Sequence, residues 1–423
     1  MSENRALIES TLARRYAREK RFQWYGKLAI SAGILFLGFL LATTVGNAYT
    51  ALQQTYIGLE INLTEDDFDG DLTSKSLAQA SYGKIIKRSL LEKFPQVSKR
   101  KEKKALYKLI STGAEYDLRD KVVANPELIG QSRIFWLLAD DEVDVFMKGR
   151  IDRNVDEGSR RLKDNTIGWV DQLSAQDLIE KRFNKPFFTN GDSRDPEQAG
   201  ILGAAMGSIY TILVTMLLAF PIGVAAAVYL QEFAPKNRIT DVIEVNINNL
   251  AAVPSIIFGL LGLAIFINYF GLPRSIPLVG GLVLALMTLP TIIISSRAAL
   301  ASVPPSIREA ALGIGSSPVQ MVLHHVIPLA MPGMLTGAII GFARALGETA
   351  PLLVIGMVAF IVDIPGGPMD PATVLPVQIY LWADSPERAF VEKTSAAIIV
   401  LLLFLIAVNV LIVIMRRKLE RRW

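Results

Sequence analysis

The sequence predicts an all-α polytopic membrane protein of six transmembrane helices, with an extracytoplasmic mixed α/β insertion between the first two. Three observations predict it. The 423 residues are 51% hydrophobic, and the mean hydropathy of +0.36 is too high for an ordinary soluble chain. The apolar residues gather into runs of about 20, the length a helix needs to cross a ~30 Å hydrocarbon core. Between the first two runs, residues 48–197 turn polar and hold about half of all Lys and Arg.

Composition also excludes chemistry. There is no cysteine, so disulfides, thiolate metal sites and cysteine nucleophiles are ruled out. The net charge of +4 reflects basic flanks of membrane spans and not a nucleic-acid surface. No GxxxxGK[ST] loop, HExxH, Ser/His/Asp set or acid pair in a plausible cleft occurs, so the chain itself reads as neither an ATPase nor another enzyme. His324 and His325 are adjacent on a helix and cannot serve one metal. No cofactor and no metal are expected.

Residues 1–27 form a basic leader with Arg14, Arg15, Arg18, Lys20, Arg21 and Lys27. Residues 28–47 carry no charge and read as the first span, an uncleaved signal-anchor because the leader is long. The polar stretch 48–197 has scattered apolar positions, among them Ile110, Ile134, Phe135, Trp136, Leu137, Val143, Phe146, Ile167, Trp169 and Val170. They suffice for a modest core. The basic run inside 92–108 reads as a solvated helix face. Five further spans are expected near 201–230, 244–270, 276–296, 334–362 and 394–415, within a core of 198–415 followed by a basic tail, 416–423. The leader, the turn with Lys236 and Arg238, the segment from Arg297 to Arg308 and the tail are all basic. Six spans with both termini cytoplasmic put all four on one side, as the positive-inside rule requires. The long insertion then lies outside, since long domains translocate largely regardless of charge.

The cytoplasmic segment 303–333 is expected to form two short amphipathic helices. Pro304 and Pro305 stop the preceding span, and Ser306 with Glu309 makes a capping-box pattern. Gly313 and Gly315 turn the chain, Ser317-Pro318 starts the second helix, and Pro328 and Pro332 end it. In the fifth span, Arg344 lies ten residues in, ~15 Å deep, with Glu348 one turn further on the same side. Charge at that depth costs on the order of 3 kcal/mol or more and is rarely idle. The pair reads either as an internal salt bridge or as a polar path in which Arg344 contacts an oxyanion and Glu348 sets its geometry. Arg297, at the end of the fourth span, is a second path candidate or a snorkelling side chain.

The string Glu309-Ala310-Ala311, Gly315 and Ile327-Pro328 resembles the EAA loop of ABC importer permeases, with His325 where that pattern usually has Ile. ARALGETAPLL (343–353), NNLAAVPSIIFGLLG (248–262) and YLQEFAPKNRIT (229–240) resemble the A-type permeases of phosphate-specific transport systems, the PstA family. The likeness spans most of 200–423 and implies an ABC importer type I permease fold in the bacterial inner membrane. It implies that Glu309, Ala310, Ala311 and Gly315 dock a separate ATPase. It also implies phosphate as cargo, a C-type permease as heterodimer partner, two ATPase subunits and an extracytoplasmic phosphate-binding protein. Another oxyanion, molybdate or sulfate, is the alternative cargo. A membrane sensor is the alternative class, and it would carry a signalling module after its spans, where this sequence has a tail of about eight residues.

Overall fold

The computed structural model describes residues 2–68 and 73–419; residues 420–423 of the basic tail lie outside the described residues. The chain opens with one helix, α1 (Ser2–Ala51), which joins the basic leader and the first span in a single rod. At 1.5 Å per residue it is about 75 Å long, so only part of it can sit in a bilayer.

The insertion is a mixed α/β unit built on a three-stranded sheet. Strand β1 (Gln53–Asn62) lies in the centre, between β2 (Ser132–Leu138) and β3 (Ile179–Phe183), and both pairings are antiparallel. Tyr56 pairs with Leu138 on one side and Glu180 on the other. Period-two alternation sends Ile57, Leu59, Ile61, Phe135 and Leu137 into the core. They meet apolar residues of α2 (Tyr82–Lys93), α4 (Ala114–Ala124) and α6 (Asp164–Ala175), with α3 (Arg100–Tyr107) and α5 (Asp141–Met147) alongside. Ile134 departs from the expected core: it alternates to the outer face and is 54% exposed.

The membrane unit centres on α10 (Pro277–Ala301), where 61% of the apolar window is buried, against none in α1. It packs on α7 (Leu202–Val228) and α13 (Ile327–Gly347). The last helix, α16 (Ala389–Leu419), follows the short α15 (Leu375–Ala383) and lies beside it and beside α1 and α13. Small residues permit the close approach: a Cβ on Gly281 would meet Val214 at 2.5 Å, and one on Gly223 would meet Ile292 at 2.7 Å.

Two expected spans are corrected. Residues 244–270 are not one rod. They divide into α8 (Arg238–Ala251) and a helix that begins as α9 (Ser255–Gly262) and widens to Tyr269, bent by 102° at the break. Pro254 sits at that break and stands before the first turn of α9, where its missing N–H costs nothing. Among the described residues, five helices are long and apolar enough to span, or up to six spans if the bent pair counts as one. The expected span 334–362 starts earlier and stops at Gly347. Glu348 is extended (φ −77°, ψ 123°), and only the short α14 (Ala350–Val354) follows. Pro351 cannot donate into a continuing ladder, which favours the stop.

The segment between α10 and α13 differs from expectation in two ways. Ser306 and Glu309 form no capping box. Helix α11 (Pro305–Gly313) already has Pro305 in its first turn, and Pro304 at the cap position makes no side-chain bond. The capping box is instead Ser317 with Gln320, at the start of α12 (Pro318–Met321). Pro328 and Pro332 do not end a helix either. A wide π-helical turn, Val322–Val326, joins α12 to α13, whose first turn takes Pro328, and Pro332 lies inside α13.

Candidate functional site

The depth of Arg344 follows from how α13 runs along α10. Cβ atoms built on Gly333, Gly337 and Gly341 would face Ala299, Ser295, and Ile292 with Thr288. This antiparallel register places Ala345 beside Leu284, and both line one small void. Arg344 therefore sits about eight to eleven residues from Pro277, ~12–16 Å below that end of a ~37 Å helix. The residue belongs to the last turn of α13 and not to the middle of a longer span.

Arg344 is 49% exposed on a face it shares with Ile340 and Gly347. Its Nε lies 3.5 Å from Glu348 Oε1, the long limit of a hydrogen bond, and Glu348 is 20% exposed. Among the described residues the guanidinium has no other polar partner. The site thus holds a largely uncommitted five-donor fork, suited to a carboxylate or a tetrahedral oxyanion. A carboxylate one turn away limits its net charge.

The break after Gly347 touches the break at Pro254 through the elements that follow each. A Cβ on Gly259 would lie 2.7 Å from Pro351 Cα and 2.8 Å from the Pro351 carbonyl oxygen. Only glycine admits the second backbone so closely. The strings VPSIIFGL and GETAP, far apart in sequence, are therefore in direct contact beside Arg344.

Arg297 is not part of this cluster. It lies about ten residues further along α10 and forms a 2.6 Å ion pair with Glu244 of α8.

The α11–α12 knob presents Glu309 and Ala310 outward and buries Ala311. Gly315 turns the chain at φ +91°, a conformation that side chains oppose. Beneath the knob, Met321, Val322 and Val326 pack with Leu300 and Val303. Ile314, Val319 and Leu323 remain exposed. Arg308 fixes the knob: its guanidinium donates to both carboxylate oxygens of Glu232, at 3.1 and 2.7 Å, and to the carbonyls of Leu300 and Val303. Sequence reasoning saw Arg308 only as one more basic residue. Its partner belongs to the YLQEF string, 76 positions earlier.

A second network that sequence reasoning missed ties the insert to the last helix. Lys148 bonds Asp144 at 2.6 Å and Glu392 at 2.5 Å, with all three side chains buried. Lys393 donates to the Ala199 carbonyl at 2.6 Å. The available signal was the charged pair Glu392-Lys393 against the start of the 394–415 apolar run.

Comparison with known proteins assigns the two parts separately. Residues 219–423 match the family described as "Binding-protein-dependent transport system inner membrane component". Residues 9–157 match a "Domain of unknown function (DUF3333)", which stops short of β3. The "Probable ABC transporter permease protein YqgI" of Bacillus subtilis is 36% identical over 187 residues, 44% of this chain and 60% of that protein. The match thus spans less than two thirds of YqgI. The "Phosphate transport system permease protein PstA 1" of Mycobacterium tuberculosis (strain ATCC 25618 / H37Rv) is 32% identical over 231 residues, 54% of this chain and 73% of that protein. The "Phosphate transport system permease protein PstA" of Haemophilus influenzae is 30% identical over 223 residues, 53% and 78% of the two chains. Taken with the apolar helices and the 219–423 match, these relatives place the chain among the PstA-type permeases of the binding-protein-dependent ABC transporter family.

Proposed function

We propose that this chain is one permease half of an ATP-driven importer for inorganic phosphate. The observation that carries the reading is Arg344: a guanidinium on a helix read as membrane-spanning, half exposed on an open face, with one long contact to Glu348. Such a charge is costly unless water and an anion share its surroundings. A guanidinium receives a tetrahedral oxyanion through paired N–H donors. Glu348 keeps the site from holding the anion too tightly to release it. Phosphate as the particular oxyanion rests on the relatives named for phosphate transport.

The rest of the assembly follows from the same reading. A C-type permease closes the open face of α13 and supplies the other half of the path. Two ATPase subunits engage the α11–α12 knobs from the cytoplasm through Glu309, Ala310, Ala311 and Gly315, with the exposed Ile314, Val319 and Leu323 as apolar grip. The insert stands outside the cytoplasm, where a phosphate-binding protein delivers cargo, and both termini are cytoplasmic. Arg297 has its charge matched by Glu244, so it takes the lesser share of the path.

The test is uptake by the assembled complex. Arg344→Ala abolishes phosphate import while the complex still assembles and hydrolyses ATP; unchanged import would end the reading. Arg344→Lys keeps the charge but loses the fork, and retains only a minor fraction of the rate.

A further inference from the structure

A cavity of about 780 Å³ opens where the insert meets the approach to α16. One wall is the face of α3 and its end: Lys101, Lys104 and Lys108, spaced by three and four residues so that they project together. Among the described residues, none of the three has an ion pair or side-chain hydrogen bond. The basic run that reads as a solvated face is thus a row of uncommitted cations over a cavity.

The same cavity is also lined by acidic residues, more deeply set than the lysines. Asp140 and Asp141 hydrogen-bond each other there, and Glu197, buried, accepts from Ser111. Burial, reinforced by the neighbouring Asp141 charge, pushes the Asp140 carboxyl up to about 8. Burial also raises Glu197, to about 7. Burial raises the Asp141 carboxyl as well, opposed by its hydrogen bond with Asp140, so near neutral pH the pair offers a carboxyl O–H donor on Asp140 beside a carboxylate acceptor on Asp141. Arg161 and Arg194 close the sides; Arg161 is partly neutralised by Glu142 at 3.3 Å, and Arg194 lies over the Phe360 ring.

Lysine donors in one cavity with an acid and carboxylate pair select one class of ligand. A fully deprotonated oxyanion such as sulfate satisfies the lysines but has no proton for the carboxylate, which repels it. Phosphate near neutral pH keeps at least one P–OH, so it can accept from the lysines and donate to the carboxylate. A lipid phosphodiester has the charge but no P–OH. We propose that this junction cavity binds inorganic phosphate through the lysine face of α3 and the Asp140–Asp141 pair. The proposal rests on the importer reading above and adds a site on the insert, separate from Arg344.

The experiment is equilibrium binding of radiolabelled inorganic phosphate to the full chain in phosphatidylcholine nanodiscs. The wild type binds, sulfate in excess displaces little, and the Lys104→Gln/Lys108→Gln double variant loses affinity by about tenfold or more. Lys104→Arg retains binding, as does Lys84→Gln, a lysine of the insert outside this cavity. Phosphatidylglycerol-rich nanodiscs give the same affinity. The proposal is overturned if the double variant binds like the wild type, if sulfate competes equally, or if phosphatidylglycerol occupies the site in place of phosphate. Import by the assembled complex without binding here overturns the cavity site alone; absence of any phosphate import overturns the importer reading itself.

Discussion

Lys148 of the insert and Glu392 of the last helix meet at 2.5 Å although 244 positions separate them, and both side chains are almost wholly buried. Asp144, which also accepts from the Thr55 backbone N–H at 2.8 Å, completes the group. A buried pair is weak evidence of net stability, but losing one member strands a charge, at a cost of about 3–5 kcal/mol. Lys148→Met, which strands two buried carboxylates, is expected to destabilise the junction by that order, and Glu392→Gln by less, because Lys148 keeps Asp144 at 2.6 Å. Lys148→Met/Glu392→Met recovers part of the loss, limited by the charge left on Asp144. Chemical unfolding in detergent measures this; Lys148→Met within about 1 kcal/mol of wild type would refute the coupling.

Arg308 makes four donations, two to Glu232 and two to carbonyls at the end of α10. It therefore caps that helix and anchors the knob at once. Lysine keeps the charge but cannot reproduce the fork. Arg308→Lys is expected to leave the protein in the membrane while lowering ATP-driven uptake several-fold. The readout is the ratio of substrate-stimulated to basal ATP hydrolysis in the complex; an unaltered ratio counts against the anchoring role.

Hydropathy located the spans because hydrocarbon imposes one requirement over about 20 residues, and composition alone meets it. It could not see where a span breaks. Pro221, Pro290 and Pro332 lie inside helices, whereas Pro254 stands at a 102° bend, and all four sit in apolar surroundings. What separates them is the tertiary contact: Gly259 receiving Pro351 holds two breaks together. The Arg344–Glu348 pair was legible because i,i+4 spacing needs no tertiary information. Arg308–Glu232 and Lys148–Glu392 were not, since neither sequence distance nor residue type distinguishes them from surface charges.

Gly259 tests the contact between the two breaks directly. Alanine there would place its Cβ within 2.7 Å of the Pro351 backbone, which cannot rotate aside as a side chain can. Gly259→Ala is expected to displace the turn after Glu348, and to reduce phosphate uptake by about tenfold or more with assembly preserved. Uptake within twofold of wild type would show that the contact does not position Arg344 and Glu348. A paired variant, Gly347→Ala, meets nothing within 4 Å and serves as the tolerated control.

The junction also sets a pH dependence. Asp140 and Glu197 have carboxyls raised to about 8 and about 7, in both cases chiefly by burial. For a group whose folded value lies above its unfolded one, the stabilising contribution is complete below the unfolded value, near 4. It is lost as pH rises through the folded value. The insert should therefore lose stability progressively between about pH 4 and 8, the span between the unfolded and folded values, as buried carboxylates ionise beside Asp141 and Asp195. Melting temperature of the full chain across that range gives the measurement, with protease nicking in 190–200 reporting the junction itself. Asp140→Asn and Glu197→Gln keep the neutral hydrogen-bonding shape but cannot ionise, so each flattens the slope and the double variant flattens it most. A wild-type slope in the double variant would place the titration elsewhere, and a wild-type stability that climbs with pH would contradict the sign.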